Sequence, residues 1–225
     1  MIERIRILRD RIEQACSKCG RSPEDVELLP VSKRQSVDAI REAVDLGFRS
    51  FGENYVQEGA AKHLELPGLC FNLIGPLQRN KARLALLHFA EIQTVDRVDL
   101  CGRLTRLADE LHTERGVWIQ MDLWDESTKA GGCPESGLPA IFSELAASGL
   151  LKVHGFMAIP PPGQEAAFTE MALLRDRWQQ KTGLRLRLSM GMSGDFEAAI
   201  KAGSDQIRIG TALFGARVYS PSRSS

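Results

Sequence analysis

The chain has 225 residues, of which 43% are hydrophobic and 26% charged, a balance typical of one folded domain of the larger kind. Its 29 basic residues equal its 29 acidic residues, so no net field favours nucleic acid or an anionic membrane as a partner. No apolar run approaches the roughly 18 residues of a membrane span and the charged start is unlike a signal peptide, so we expect a cytoplasmic protein.

The predicted elements begin with a helix, a strand and a second helix. Apolar residues recur at helical spacing through residues 3–17, which predicts an amphipathic helix that ends near Gly20 and packs on the outside of the domain. Residues 26–31 form a short apolar run, typical of a strand buried on both faces, and Lys33 follows it. Residues 36–47 then predict a helix that ends at Gly47.

The same alternation of strand and helix continues along the chain. Further strands are predicted at residues 49–54, 70–74, 90–95, 116–121, 151–159, 184–189 and 206–209, with helices between them. Eight such repeats in about 200 residues predict an α/β fold, a single (β/α)₈ TIM barrel with an extra N-terminal helix over residues 1–20. A doubly wound open sheet is the alternative. Residues 122–132 predict a polar loop, and residues 219–225 a flexible tail of this one domain over residues 1–225.

Lys33 is the first candidate functional residue. It lies at the C-terminal end of the first predicted strand, and this is the end at which parallel barrels build their active sites. A lysine amine held there, partly removed from water, loses proton affinity and becomes a nucleophile for carbonyl groups. The position alone also suits an ordinary solvated lysine, so the choice depends on other parts of the chain.

Two glycine-containing loops follow the seventh and eighth predicted strands, where barrels commonly hold phosphate groups. Residues 189–194 combine glycines with a hydroxyl at a helix start, and residues 208–212 repeat the pattern. In a closed barrel the first strand adjoins the eighth, so Lys33 should lie beside both loops. An amine for an aldehyde and a nest for a phosphate fit pyridoxal 5'-phosphate, and equally a Schiff-base aldolase for sugar phosphates. Arg208 would then donate to a pyridine nitrogen, or else form a surface ion pair.

Six sequence blocks resemble, in order, those of the pyridoxal phosphate homeostasis protein family. They are PVSK at residues 30–33, FGENYVQE at 51–58, IGPLQ at 74–78 with NK at 80–81, GFMAIP at 155–160, SMGMS at 189–193 and RIGT at 208–211. The match runs from about residue 25 to Arg217. The resemblance implies a barrel of the alanine racemase fold, fold type III among pyridoxal phosphate proteins, without the C-terminal β-domain of the racemases.

The resemblance also implies a role for each matching residue. Lys33 would bind pyridoxal 5'-phosphate as a reversible aldimine, and Arg208 would face its pyridine nitrogen. Ser193, Gly210 and Thr211 would hold the phosphate, and Asn54 and Met157 would line the ring pocket. The implied protein is a monomer that stores or supplies the coenzyme without efficient turnover, with the apo forms of pyridoxal phosphate enzymes as candidate partners. A true enzyme, either an amino-acid racemase or a Schiff-base lyase, is the alternative.

Two positions depart from the family pattern. Asn72 stands where the family usually has a histidine, which puts in doubt any proton transfer at that position. Gly194 and Phe196 replace a bulkier polar residue and a Met or Leu, a change that we interpret as tolerated packing variation. Racemisation also needs acid–base groups on both faces of the substrate carbon. In the resembling racemases one of these groups is a tyrosine, and the only tyrosines in this sequence are Tyr55 and Tyr219, the latter in the predicted flexible tail. We therefore expect no efficient racemase.

The histidines and cysteines suggest no metal site. The four histidines are spread along the sequence without ligand spacing, so we expect a surface or capping role for each. They are His63, His88, His112 and His154. Cys16 and Cys19 have a spacing found in zinc and redox sites, but they have no second pair and lie at a predicted helix end. Five cysteines without a secretion signal indicate reduced thiols.

Overall fold

Eight parallel strands form one sheet in the computed structural model, which describes residues 1–124 and 131–215. They are β1 (Glu27–Pro30), β2 (Ser50–Glu53), β3 (Cys70–Leu73), β4 (Glu91–Val95), β5 (Arg115–Met121), β6 (Leu151–Ala158), β7 (Arg187–Ser189) and β8 (Gln206–Ile209). Neighbouring strands follow chain order from β2 to β8, and β8 pairs with β1. A parallel bridge between Val31 and Gly52 joins β1 to β2 and closes the barrel. The predicted barrel is confirmed, and the open-sheet alternative is wrong.

Helices alternate with the strands, as predicted. They are α1 (Ile2–Lys18), α2 (Val37–Asp45), α3 (Val56–Glu65), α4 (Ala82–His88), α5 (Val98–Leu111), α6 (Leu138–Ala146), α7 (Ala166–Thr182), α8 (Phe196–Lys201) and α9 (Thr211–Phe214). Local sequence sets their ends: the Ser36 hydroxyl accepts the Ala39 N–H at 3.2 Å and begins α2, and Gly47, with a φ of 100°, follows its end. Among the described residues, no helix combines the length and apolar character needed to cross a membrane.

The first helix packs on the outside of the barrel, where the chain closes on itself. Its buried face, which includes Ile5, Leu8 and Ile12, joins a cluster with residues of α8 and β8. Arg4 donates from Nε to the Leu213 carbonyl at 2.7 Å, and Arg11, about two turns further along α1, donates to the Glu197 carboxylate of α8 at 2.7 Å. This helix therefore covers the seam between β1 and β8.

The barrel interior divides into an apolar side and a polar side. Leu29, Val31 and Ile74 form a small buried cluster of their own on the side of β1 and β3. The side formed by β4, β7 and β8 carries buried polar residues instead. They are Gln93, Ser189, Gln206 and Arg208. Most of the other buried apolar side chains belong to one large cluster, which the strands share with helices α2 to α8.

The seventh strand is shorter than predicted, and the sixth has an irregular pairing. The seventh strand spans only Arg187–Ser189, because the Leu186 N–H donates to the Gln179 side chain at 2.9 Å instead of to a strand. The pairing of β5 with β6 shifts register, and Gly155 in β6 lies so close to the backbone of Arg187 that a Cβ there would overlap it. The predicted tail and residues 125–130 of the predicted polar loop lie outside the described residues.

Candidate functional site

Lys33 stands at the C-terminal end of the barrel, beside the two strands that flank β1. The Val31 N–H donates to the Ile209 carbonyl at 2.8 Å, and the Ser32 N–H donates to the Gly52 carbonyl at 2.9 Å. A β-turn follows, closed by the N–H of Gln35 on the Ser32 carbonyl at 3.0 Å, and Lys33 is half-buried within it. The predicted lysine therefore lies at the mouth of the barrel, between β2 and β8.

A buried ion-pair network lies beneath this turn, and it was not predicted. The Lys62 ammonium lies 2.7 Å from Oε1 of Glu53 and 2.7 Å from Oε1 of Glu58. It also donates to the Ser32 carbonyl at 2.7 Å, and the Ser32 hydroxyl donates to Oε1 of Glu53 at 2.6 Å. The sequence contained one signal for this network, because Lys62 falls on the otherwise apolar buried face of α3.

The carboxylate of Glu53 is fully buried and only half satisfied. Its Oε1 atom accepts from Ser32 and Lys62, whereas Oε2 has no hydrogen-bond partner among the described residues. Burial raises the pKa of Glu53, and the charge and hydrogen bonds of Lys62 and Ser32 offset only part of this effect. The charged form of Glu53 therefore depends on Lys62.

Arg208, in β8, lies under the mouth with only 4% of its surface exposed. Its Nη1 atom donates to the carbonyl and hydroxyl oxygens of Ser189 at 2.5 and 2.8 Å, and Nη2 donates to the Ala158 carbonyl at 2.8 Å. Burial lowers the pKa of Arg208 to about 10, with Asp195 acting in the opposite direction. No carboxylate of the described residues forms a hydrogen bond with this guanidinium, so the alternative of a surface ion pair is wrong.

Neutral polar side chains form a chain through the interior beneath Arg208. The Ser189 hydroxyl lies 2.9 Å from the side-chain oxygens of both Gln93 and Gln206. Gln93 donates to the Gln206 oxygen at 2.8 Å and to Oε2 of Glu91 at 3.3 Å. Polar residues at alternate positions of β4 were the available sequence signal, and these residues were not predicted. Their hydrogen bonds orient the hydroxyl that receives Arg208.

The series of hydrogen-bonded side chains ends at Glu91, which lies at the start of β4 and therefore at the end of the barrel opposite the mouth. Its Oε1 atom lies 2.8 Å from Nδ1 of His154, and Oε2 accepts from the Trp118 indole at 2.9 Å. Burial acts to raise the pKa of Glu91, but His154, Trp118 and Gln93 together outweigh burial and lower it. The carboxylate is therefore held in its charged form.

The two predicted phosphate loops meet the end of β1. Ser193 is half-buried between β7 and α8, and its loop is tied to β8 because the Arg208 N–H donates to the Gly191 carbonyl at 3.0 Å. Gly210 precedes α9 and lies over β1, since a Cβ there would be 3.6 Å from Cβ of Val31. Thr211 is exposed at the first position of α9, where helix N–H groups lack partners within the helix. These loops and Lys33 therefore share one end of the barrel.

Asn54 and Met157 also lie towards the mouth, one directly after β2 and the other in β6. Asn54 follows β2, and its side-chain oxygen is buried without a hydrogen-bond partner among the described residues. Met157 is fully buried in β6, with Ser189 as its neighbour in β7. The amide of Asn72 donates to the Ser50 hydroxyl at 3.0 Å. Because Ser50 begins β2, the Asn72 amide is turned away from the mouth.

The structure brings together two histidines that are far apart in the sequence. Nδ1 of His63 lies 3.1 Å from Nδ1 of His88, because α3 and α4 pack side by side. Burial and the proximity of His63 lower the pKa of His88. Among the described residues, no group of three or more histidine, cysteine or acidic side chains could hold a metal ion. Cys16 is buried, and the Cys19 thiol donates to a carbonyl of α1 at 3.3 Å.

The fold and the residues at its mouth place the chain in a known class of barrels. A model of the alanine racemase N-terminal domain matches residues 5–218. A solved alanine racemase of Clostridium difficile 630 has the same fold, with a TM-score of 0.76 over 98% of this chain and 58% of that chain. Its 14% identity supports the fold alone. The chain is therefore a barrel of the alanine racemase N-terminal class.

More similar relatives identify the family within this class. The pyridoxal phosphate homeostasis protein of Escherichia coli (strain K12) is 44% identical over 227 aligned positions, which cover 95% of each chain. Its Haemophilus influenzae counterpart is 40% identical and covers 97% of each chain. The structure of PipY from Synechococcus elongatus PCC7942 with bound PLP is 39% identical, with a TM-score of 0.80 over 91% of this chain and all of that chain. This chain belongs to the pyridoxal phosphate homeostasis protein family.

Proposed function

We propose that this protein binds pyridoxal 5'-phosphate covalently and reversibly through Lys33, and that it stores or supplies the coenzyme in the cytoplasm. The observation that carries the proposal is the arrangement of Lys33, the two phosphate loops and the buried Arg208 at one end of the barrel. PipY, a relative that shares 39% of its residues with this chain, has been solved with PLP bound. The names of the relatives support the role in homeostasis.

The residues at the mouth fit this coenzyme by their chemistry. Pyridoxal 5'-phosphate supplies an aldehyde, with which a neutral lysine amine condenses to a C=N bond with release of one water, so no oxidant or reductant is needed. Lys33 supplies that amine. Arg208 would donate a hydrogen bond to the pyridine nitrogen. A guanidinium can only donate, and it stays charged near neutral pH, so the nitrogen that accepts from it would stay unprotonated. An unprotonated nitrogen makes the ring a poor electron sink, which agrees with a carrier rather than an enzyme.

The remaining predicted residues hold the rest of the coenzyme. Ser193 and Thr211 offer hydroxyl donors to the phosphate, and Gly210 lets the backbone at the start of α9 approach it. Asn54 contributes a buried polar atom that has no protein partner among the described residues, and Met157 contributes apolar surface to the ring pocket. We propose that the protein acts as a monomer and that its partners are apo forms of pyridoxal phosphate enzymes.

Borohydride reduction of the purified protein, mixed with pyridoxal 5'-phosphate, tests the proposal. We expect a visible absorption band that reduction bleaches, and peptide mass mapping should place the pyridoxyl group on Lys33. Lys33→Ala should abolish the band completely and leave the circular dichroism spectrum unchanged, because a half-buried side chain at the mouth contributes little to the core. Lys81→Ala is the matched control and should keep the band. A pyridoxyl group mainly on another lysine, or a protein that stays colourless, would contradict the proposal.

A further inference from the structure

One pair of charged residues on α3 holds both peptide groups that flank Lys33. In the peptide group before Lys33, the Ser32 carbonyl accepts from Nζ of Lys62 at 2.7 Å. In the peptide group after it, the Arg34 N–H donates to Oε1 of Glu58 at 2.5 Å. Glu58 and Lys62 are one helical turn apart and contact each other at 2.7 Å. The backbone of the turn is therefore clamped on both sides of Lys33.

The turn needs such support because its backbone is strained. Arg34 has a φ of 58°, a left-handed conformation that residues with a side chain seldom adopt outside tight constraints. Strain of this kind persists where the surrounding structure fixes it, and it is commonly found next to functional groups. The hydrogen bond from Arg34 to Glu58 fixes the strained residue directly, and it is a hydrogen bond to a charged acceptor, which is among the stronger kinds.

We propose that Glu58 and Lys62 are positioning residues for Lys33. By fixing the two flanking peptide groups, they hold the Lys33 amine at one place relative to Arg208 and the phosphate loops. A reacting group that is already in place avoids the entropy cost of being ordered during the reaction. This inference rests on the proposed function, since it concerns the reaction of Lys33 with the coenzyme aldehyde. It adds two residues of α3 that do not themselves touch the coenzyme.

Three substitutions of Glu58 separate position from charge. Glu58→Gln keeps an acceptor oxygen in place and removes the charge. Glu58→Asp keeps the charge and withdraws the acceptor by one methylene. Glu58→Met keeps the aliphatic stem and removes the acceptor. Glu65→Met is the matched control, because Glu65 is exposed at the other end of α3. About a quarter of the Glu58 side chain is exposed, so these variants should fold, and thermal unfolding checks this.

Two measurements should then give the same pattern. When pyridoxal 5'-phosphate is added to the coenzyme-free protein, the absorption band should grow about tenfold more slowly in Glu58→Met and Glu58→Asp, a change of about 1.4 kcal/mol. Glu58→Gln should stay within about threefold of wild type, and Glu65→Met should match it. In the coenzyme-free protein, hydrogen exchange of a peptide covering residues 32–36 should be faster in Glu58→Met and Glu58→Asp only.

Two outcomes would overturn the inference. One is that the absorption band grows at the wild-type rate in both Glu58→Met and Glu58→Asp although their hydrogen exchange is faster. Lys33 would then react equally well without a fixed backbone. The other is equal slowing in Glu58→Gln and Glu58→Asp, which would assign the effect to charge or packing rather than to the hydrogen bond. If Glu58→Met does not fold, the comparison of Asp with Gln still decides. Retention of the band by Lys33→Ala would instead refute the proposed function, so the two failures are distinguishable.

Discussion

Glu53 and Glu91 are carboxylates at opposite ends of the barrel, and their pKa values are shifted in opposite directions. The Glu53 side chain is fully buried, whereas 18% of the Glu91 side chain is exposed. Glu53 stands at the mouth with one oxygen unpartnered, and burial raises its pKa. Glu91 lies at the start of β4, and its contacts with His154, Trp118 and Gln93 outweigh burial and lower its pKa. Burial alone therefore does not set the charge of a carboxylate. The number and kind of its partners decide it.

The difference also separates the two ends by role. At the start of β4, both side-chain oxygens of the partly buried Glu91 have hydrogen-bond partners. At the mouth, Glu53 depends on one ammonium group, and that same ammonium holds the backbone next to Lys33. The mouth, where we propose the coenzyme site, therefore contains charge that is less completely compensated than the charge at the opposite end.

The largest effect is expected when the cation that compensates the charge of Glu53 at the mouth is removed. Lys62→Met removes the only cation that contacts Glu53 among the described residues, and it leaves a fully buried carboxylate uncompensated. Loss of one partner of a buried ion pair destabilises proteins by about 3–5 kcal/mol. We expect a decrease of this size in the free energy of unfolding, measured by urea denaturation at pH 7. Lys152→Met is the control and should cost about 0–1 kcal/mol, since its ion pair with Glu114 is exposed.

A smaller loss than about 1 kcal/mol in Lys62→Met would mean that Glu53 is neutral in the folded protein. The ion-pair description of the mouth would then be wrong. The double variant with Glu53→Gln distinguishes the two cases, because it should recover part of the stability only if the carboxylate is charged.

An intermediate effect is expected when Glu91 loses part of its compensation. Gln93→Leu removes a donor to Glu91 and to Gln206 and an acceptor of the Ser189 hydroxyl. Leaving buried polar groups without partners costs about 1–3 kcal/mol, and urea denaturation should show a loss in this range. Gln57→Leu on the exposed surface of α3 should change the free energy of unfolding by less than about 0.5 kcal/mol. Equal effects in both variants would contradict a polar interior that contributes to stability.

The smallest effect is a difference in how stability changes with pH. A lowered pKa in the folded state means that Glu91 stabilises the protein above its unfolded pKa near 4.5, and that this contribution is lost as the pH falls below that value. A raised pKa has the opposite sign: stability is lost as the pH rises from 4.5 towards the higher pKa of Glu53 in the folded protein, because the unfolded chain ionises first. The quantity to follow is the free energy of unfolding of the wild type minus that of the variant. For Glu91→Gln this difference should fall as the pH is lowered, and for Glu53→Gln it should fall as the pH is raised. Parallel curves from urea denaturation would contradict the comparison.

The sequence predicted the strands and Lys33 for a common reason. Buried parallel strands are continuous apolar runs bounded by turns, so a run of this kind marks both the strand and the residue that follows it at the mouth. Eight repeats then made closure of the barrel the simplest arrangement. The seventh strand was predicted too long because residues 184–186 are also apolar in alternation but hydrogen-bond to α7 instead of the sheet.

The support of the site was not predictable in the same way. The place of Lys62 on the otherwise apolar face of α3 indicates its burial but not its partner, because Glu53 comes from a different element that only the fold brings within 2.7 Å. The burial of Arg208 was not predictable for the same reason, because the sequence at a strand end does not show whether an arginine points into the barrel or away from it. The pairing of His63 with His88 depends on the packing of α3 against α4. Each of these contacts joins residues that no local pattern connects.

The seam covered by α1 has a consequence for how the chain acquires its structure. The Arg4 side chain donates to the Leu213 carbonyl across 209 positions of sequence, and β1 pairs with β8 across 179, as in Glu27 with Gln206. Contacts between such distant residues form slowly, because the loop that joins them must first be closed. During synthesis, β1 emerges early and stays without one of its two neighbours until residues 206–209 are made. The proposed coenzyme site is therefore complete only after residues 206–209 pair with β1, and until then Lys33 lacks the neighbours that we propose for the coenzyme.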